Sequence, residues 1–340
     1  MRRIENLPLL LGAAGLLIAA LGWVLDAGRF FGGWLAAVTV FSAWPLGSIA
    51  LLLAHALTGG RWGVVIRPAL RLGICSLPLL LPAMLLLLAG LTPLYPWART
   101  HAAPNQFYLN VPFFAARLLF YLVVWSALGW LTLNGRGLAR IAPIGLFLLA
   151  VTASFAAIDE TMSLDPHFTS SIHGMIAAAQ MGLLALSMAV LRTVGSAAPE
   201  ERADLAKLLL ALVILGTYLD FMRLLIVWQS DLPQEAPWYL QRFRGNWGML
   251  AMLLVLCQFV VPFFLLLSRR LQRSRSVVAA VAAMLVASAI LRGWWTVLPS
   301  LGRSVGWIDV ACMAGLLGCA IALAPWATRH ATPAPRFSHG

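Results

Sequence analysis

The side chains with chemistry to offer are few, and they stand out against an apolar background. Residues 205–245 carry Asp220 and Arg223 inside a long apolar run. Asp231-Leu232-Pro233 follows, then an acidic and aromatic loop with Glu235, then Arg242 and Arg244. Asp and Arg three residues apart share one face of a helix. Each alone costs roughly 2.5–3.5 kcal/mol at mid-bilayer on insertion scales. Two readings follow: a structural salt bridge, or an ionisable site turned toward the bundle interior or a wet cavity. This run is expected to organise the rest of the chain.

A second acidic stretch runs from Ser154 to His167 and holds Asp159, Glu160 and Asp165. Asp165-Pro166 reads as the N-cap and first position of a helix, because proline lacks an amide that would be orphaned there. Asp159 and Glu160 have no such capping reason. Either one of these adjacent carboxyls holds its proton to higher pH, as proton exchange requires, or both sit in headgroup water. Arg117 lies one turn into an apolar segment, where it either snorkels or pairs with an acid on another helix, with Glu235 as the candidate. His173 offers a proton relay or a hydrogen-bonded packing role. His167 and His173 are six residues apart and off a common face. No bis-His haem pair is expected.

These residues belong to a chain built for lipid. Of 340 residues, 61% are hydrophobic and 11% charged, and the mean hydropathy is +0.87. A soluble domain carries about 25% charged residues. The net charge of +12 comes from 24 basic residues, of which only Lys207 is a lysine. No basic run is interleaved with aromatics in a polar context, which argues against nucleic acid as a partner. Cys75, Cys257, Cys312 and Cys319 all lie in apolar segments without a Cys-x-x-Cys spacing, so disulfides, iron–sulfur clusters and c-type haem are disfavoured. No metal site is expected. The fourteen tryptophans mostly flank apolar segments, as an interfacial belt does.

The elements that position these groups are ten apolar segments of about 20 residues or more, enough to cross a bilayer. They run over 7–26, 34–57, 68–90, 109–133, 138–158, 167–191, 204–230, 245–268, 276–298 and 305–327. The fold class is an all-α polytopic membrane bundle: a single transmembrane domain over 1–328 and a disordered C-terminal tail over 329–340. The N-terminal segment reads as a retained first span. With a cytoplasmic N-terminus, 16 basic residues fall on the cytoplasmic side and 6 on the other, Arg292 among them, while Arg117 and Arg223 remain inside spans. This bias places both termini in the cytoplasm and puts the acidic loops at 158–167 and 229–245 together on the outer side.

Several strings also carry a family resemblance. Ser154-Phe155, Asp159 and Met162-Ser163-Leu164-Asp165-Pro166-His167-Phe168 form one. Leu225-Ile226-Val227-Trp228, Asp231-Leu232-Pro233-Gln234-Glu235, Trp238-Tyr239, Arg242 and Gly245-Asn246-Trp247-Gly248 form a second. Phe259-Val260-Val261-Pro262-Phe263, and Tyr108 through Phe114 with Arg117, complete the set. Over roughly 100–270 the chain resembles the polysulfide-reductase (NrfD-like) membrane subunits, specifically the ActF-type subunit of alternative complex III, a quinol:cytochrome c oxidoreductase. The pattern departs at Glu160 and Phe168, where the family has Trp, at Arg223, where Gln is expected, and at Gln258, where His is expected.

The resemblance implies a multi-pass subunit of a respiratory complex in the bacterial inner membrane. Its partners would be membrane lipid, iron–sulfur and haem subunits, and a second NrfD-like subunit. It implies a quinol-proximal or proton-conducting role without a redox centre of its own, and quinone or quinol as the only cofactor. The residues expected to serve it are Asp159, Glu160, Asp165, His167, His173, Asp220, Arg223, Glu235, Arg242 and Arg117. The alternative is a secondary transporter of a small solute or ion, which favours inverted repeats and broken helices; the sequence shows no clear internal repeat. A membrane-embedded enzyme acting on lipid would need a nucleophile or metal motif, and no such motif is evident.

Overall fold

A computed structural model describes residues 7–100, 105–135, 137–165, 168–230 and 235–330. These residues form helices and connecting turns, with no strand among them. In order they are α1 (Leu7–Leu25), α2 (Ala27–Thr58), α3 (Arg61–Cys75), α4 (Leu80–Ala89), the short α5 (Leu91–Leu94) and α6 (Pro96–Thr100), α7 (Val111–Asn134), α8 (Leu138–Glu160), α9 (His173–Thr193), α10 (Pro199–Ser230), α11 (Ala236–Phe243), α12 (Gly245–Val255), α13 (Val261–Leu267), α14 (Arg269–Gln272), α15 (Arg275–Val297) and α16 (Trp307–His330). Ten stretches among the described residues are long and apolar enough to cross a bilayer. The protein is therefore an all-α polytopic membrane bundle.

Local chemistry explains the boundaries. The side chain of Asn110 accepts from the Phe113 amide at 2.9 Å and caps α7, with Pro112 in its first turn. Gly135, at φ +66°, ends α7 by donating its amide to Leu131. The third span is two pieces, α3 and α4, joined by a tight turn over Leu77–Leu79. Pro78 cannot donate to the carbonyl of Ile74, so the helix breaks there.

The organising element is α2, a correction to the expectation for 205–245. In α2, 78% of the most apolar stretch is buried, against 22% in α10. It packs against α1, α3, α8, α9, α15 and α16. Its side chains explain this: Gly32, Gly33, Ala36, Ala37, Gly47 and Ser48 leave room for backbones to approach. A Cβ on Gly47 would lie 2.0 Å from the carbonyl oxygen of Met181. Helix α10 instead lies at the rim, with Tyr218, Phe221 and Ile226 exposed.

The first and last spans meet by the same device. The buried residues of α1 are Gly12, Gly15, Ala19 and Gly22. A Cβ on Gly15 would lie 2.5 Å from the amide nitrogen of Gly315 in α16. Each of these two helices thus supplies bare backbone to the other.

Span six differs from the expectation. Its helix begins at His173, and Asp165 is not its N-cap. The Asp165 amide bonds back to Met162 at 3.2 Å and closes a tight turn over Met162–Leu164. Pro166 and His167 lie outside the described residues. At the C-terminus α16 runs to His330, two residues into the expected tail, and residues 331–340 lie outside the described residues.

Candidate functional site

Asp220 does pair with Arg223, at 3.5 Å, but its shorter bond is to Arg292 of α15, at 2.6 Å. One carboxylate thus serves two guanidiniums. Arg292 was expected at the outer membrane boundary. It lies within the helical span instead, side chain 18% exposed, because Asp220 and the side-chain oxygen of Gln258 hold it there.

Gln258 reaches that position through a local defect. Residues Leu256–Val260 form one π-helical turn between α12 and α13. Pro262 has no amide for the carbonyl of Gln258, and its ring would clash with that carbonyl in a regular helix. The Val261 amide bonds to Leu256 instead. Such turns recur at functional sites. Gln258 accepts two N–H bonds from Arg292 and donates to Gln180 of α9 at 2.6 Å.

Arg223 is buried and joins three elements. It donates to Asp220, to Nδ1 of His173 at 3.2 Å and to the hydroxyl of Tyr239 at 3.1 Å. A guanidinium only donates, so Nδ1 of His173 is an acceptor and its ring proton sits on Nε2. That nitrogen donates to Thr161 at 2.8 Å, and Thr161 donates to the carbonyl of Ala157. His173 is the first residue of its helix, not deep within it, and both ring nitrogens are engaged.

Beside this seam lies a cavity of about 520 Å³ between α10, α11, α12 and α15. Asp220, Arg223, Arg292 and Gln258 form its polar floor. Its walls include Tyr218, Phe221 and Val255, each more than half exposed on a membrane-spanning segment, so the mouth faces lipid. A second, smaller cavity of about 100 Å³ lies on the inner side, lined by Glu160, Thr161, His173 and Gln180. Arg223 and Arg292 line both.

The short helix α11 closes the cavity at the Ser230 end of α10. Arg242 fastens it. Its guanidinium is fully buried and donates to the carbonyls of Trp238, Trp295 and Thr296 and to the hydroxyl of Ser300. It lies 3.6 Å over the Trp238 ring. Burial, with the Arg223 charge next, pushes its pKa down to about 9. Burial also raises the Tyr239 phenol above its ordinary value.

Asp159 belongs to a separate cluster. It receives two bonds from Arg117, at 2.9 and 2.8 Å, and one from Tyr121 at 2.8 Å. Arg117 also donates to the carbonyl of Tyr108 and lies 3.8 Å over the Tyr108 ring. The acid that neutralises Arg117 is therefore Asp159, not Glu235. Glu235 stands at the N-cap position of α11 and accepts from Thr169 at 3.1 Å. Asp159 and Glu160 are 2% and 7% exposed, which removes them from headgroup water. The carboxyl of Glu160 makes no hydrogen bond or ion pair among the described residues.

The structure thus brings Asp220, Arg223 and His173 into one network, with Glu160 across the smaller cavity and Arg242 behind it. Arg117 and Asp159 stand apart as a structural pair. Asp165 lies in the turn after α8, and His167 lies outside the described residues. Sequence reasoning missed Arg292, Gln258, Gln180 and Tyr239 as partners. Arg292 carried a signal, a lone arginine inside an apolar span, and Pro262 signalled the disturbed helix that turns Gln258 inward. Among the described residues no three His, Cys, Asp or Glu side chains gather as a metal-binding group. The chain matches no protein-family model and no curated protein.

Proposed function

We propose that the chain is a quinol-proximal, proton-handling membrane subunit of a quinol-oxidising electron-transfer complex in the bacterial inner membrane. One observation carries this reading. A lipid-open cavity with a charged floor backs onto a smaller, mostly apolar cavity lined by the buried carboxyl of Glu160, which has no hydrogen-bond or ion-pair partner among the described residues. A polar head with an apolar tail fits the first cavity. The second has room for about three waters at roughly 30 Å³ each. His173 and Thr161 also line it, with their ring nitrogens and hydroxyl already engaged by Arg223, by each other and by the Ala157 carbonyl, so Glu160 is the group in this reading that exchanges the proton. Buried ionisable groups in a membrane bundle are expensive, and those lining cavities mark ion or proton routes.

The resemblance to ActF-type subunits supplies the rest of the reading: iron–sulfur and haem partners, a second NrfD-like subunit, and no redox centre in this chain. Two experiments test it. Mild solubilisation should carry haem and iron–sulfur absorbance along with this chain. Glu160→Gln and Asp220→Asn should lower the protons released per quinol oxidised in membrane vesicles. Unchanged stoichiometry in both variants refutes the proton role.

A second reading, secondary transport, draws on one feature. The third and eighth of the ten spans are both interrupted, at Pro78 and at the π turn, which are equivalent places in two five-span halves. The interruption at Pro78 lines neither cavity, so the first reading stands ahead. Solute uptake by proteoliposomes containing the chain alone would reverse that order.

A further inference from the structure

The floor of the large cavity is short of negative charge. Of the described residues lining it, Arg223 and Arg292 are cationic and Asp220 alone is anionic. Behind the floor, Arg242 is fully buried and donates to carbonyls and to the Ser300 hydroxyl, with no carboxylate among those partners. Three guanidiniums thus share one aspartate, and Glu160 makes no ion pair with any of them. An unmatched charge held away from water is costly, and a bound anion supplies the missing counter-charge. Donors are ready for it. Arg292 bonds through Nε and Nη2, which leaves Nη1 without a partner among the described residues. The Tyr239 hydroxyl accepts from Arg223, so its own proton is left for an acceptor. Thr217 adds a hydroxyl on the wall.

Position narrows the anion. The mouth faces lipid between Tyr218, Phe221 and Val255, and Ile214, Leu224 and Leu254 continue the apolar wall. An anion that enters there needs an apolar body. Depth decides among anionic lipids. Gln258 stands two residues from the middle of the 23-residue span Gly245–Leu267, about 3 Å at 1.5 Å per residue. The floor therefore lies inside a hydrocarbon core about 30 Å thick. A phospholipid phosphate stays ionised and is tied to two chains, which keeps it in the headgroup layer. A carboxylic acid on a single chain is uncharged when protonated, so its small head can descend. Beside two guanidiniums the ionised form is favoured, and the released proton goes to water.

We infer that the cavity between α10, α11, α12 and α15 binds the carboxylate of a single-chain fatty acid, its head on the arginine floor and its tail toward the lipid-facing mouth. The carboxylate accepts from Nη1 of Arg292 and from the Tyr239 hydroxyl, and it brings the negative charge that Asp220 alone does not supply. Its selectivity is for charge: an alcohol of the same chain fills the same walls but leaves the guanidiniums unmatched. The inference goes beyond the quinol reading and does not rest on it. A seated acid would occupy the room that a quinol head needs.

The test is photolabelling of the full chain, in nanodiscs of zwitterionic phospholipid, by palmitate carrying a diazirine near its carboxyl end. Label should concentrate on α10 and α12. Unlabelled palmitate should displace it about tenfold better than hexadecanol, as one charge-assisted hydrogen bond allows. Arg292→Gln should erase most of that ratio. Tyr239→Phe keeps the ring and the floor charges, so it reports even where Arg292→Gln fails to fold, and it should lower the ratio about threefold, as loss of one neutral hydrogen bond allows. Equal displacement by hexadecanol, label spread evenly over the lipid-facing helices, or a ratio that survives both substitutions overturns the inference. So does displacement by phosphatidylglycerol as strong as by palmitate, which would make this a phospholipid headgroup site. Failure to co-purify with redox subunits, or unchanged proton release, sinks the quinol reading and leaves this ratio standing, so the two fail separately.

Discussion

Arg292 donates to Asp220 at 2.6 Å across 72 residues of sequence, while Arg223, on the same helix as Asp220 and three residues away, reaches it only at 3.5 Å. The distant partner is the closer one. Asp220→Asn therefore leaves two guanidiniums on a cavity floor with no counter-charge. It should destabilise the solubilised protein by about 3 kcal/mol, as breaking a buried pair does. The double variant Asp220→Asn with Arg292→Gln should cost less than the two single variants together, by about 1–3 kcal/mol. Denaturant melts followed by circular dichroism give both quantities, and strict additivity would show the contact to be energetically idle.

Arg117 and Asp159 form the tighter pair, side chains 10% and 3% exposed. Asp159→Asn should cost about 3–5 kcal/mol, because Arg117 is then left charged and buried. Arg117→Met with Asp159→Leu together should recover much of that loss. If Asp159 instead carries protons, the double variant will fold well and yet lower proton release per quinol. Measuring stability and proton release on the same preparation separates the two roles.

The loop before α7 has its own pH signature. Burial, with the Asp159 charge next, raises the Tyr108 phenol above its ordinary value. The fold favours the neutral phenol, so the stability this residue contributes is whole below a pH of about 10 and is lost as pH rises above it. Tyr108→Phe should therefore lose less stability than the parent chain between about pH 10 and pH 11. Parallel curves in thermal melts across that range would remove Tyr108 from the account.

Pro262→Ala tests the π turn. With an amide at 262, a regular i→i−4 bond can form, and removing the extra residue of the turn rotates what precedes it by about 100°. Cysteines placed by Gln180→Cys and Gln258→Cys should be bridged readily by a short bifunctional thiol reagent in the parent background, where two glutamine side chains span the gap and meet at 2.6 Å. They should cross-link poorly with Pro262→Ala. Equal yields would mean that packing, not proline, sets the turn.

Much of the architecture was legible in the residues because lipid leaves few choices. Ten apolar runs gave ten spans, while the caps of α7 at Asn110 and Gly135 were seen only in the structure. The site was legible in part. Asp220 and Arg223 announced themselves by cost, but their depth in the bundle did not follow. Position in the bundle depends on how closely helices approach, which the small residues of α2 control and the charges of α10 do not. Arg292 was hidden because an arginine near a span end reads as an interfacial residue as readily as an ion-pair partner. Asp165 misled because a residue suited to cap a helix serves as well to close a tight turn. Tyr239 and Gln258 carry no charge, and nothing in a single sequence separates a tyrosine or glutamine that meets an arginine from one that meets a lipid.

The glycine-lined seam between α1 and α16 joins two spans far apart in sequence. Because both faces are nearly bare backbone, few side chains there can yield to make room. A single added methyl at Gly15 or Gly315 should therefore push whole helices apart instead of being absorbed by a local rotamer change.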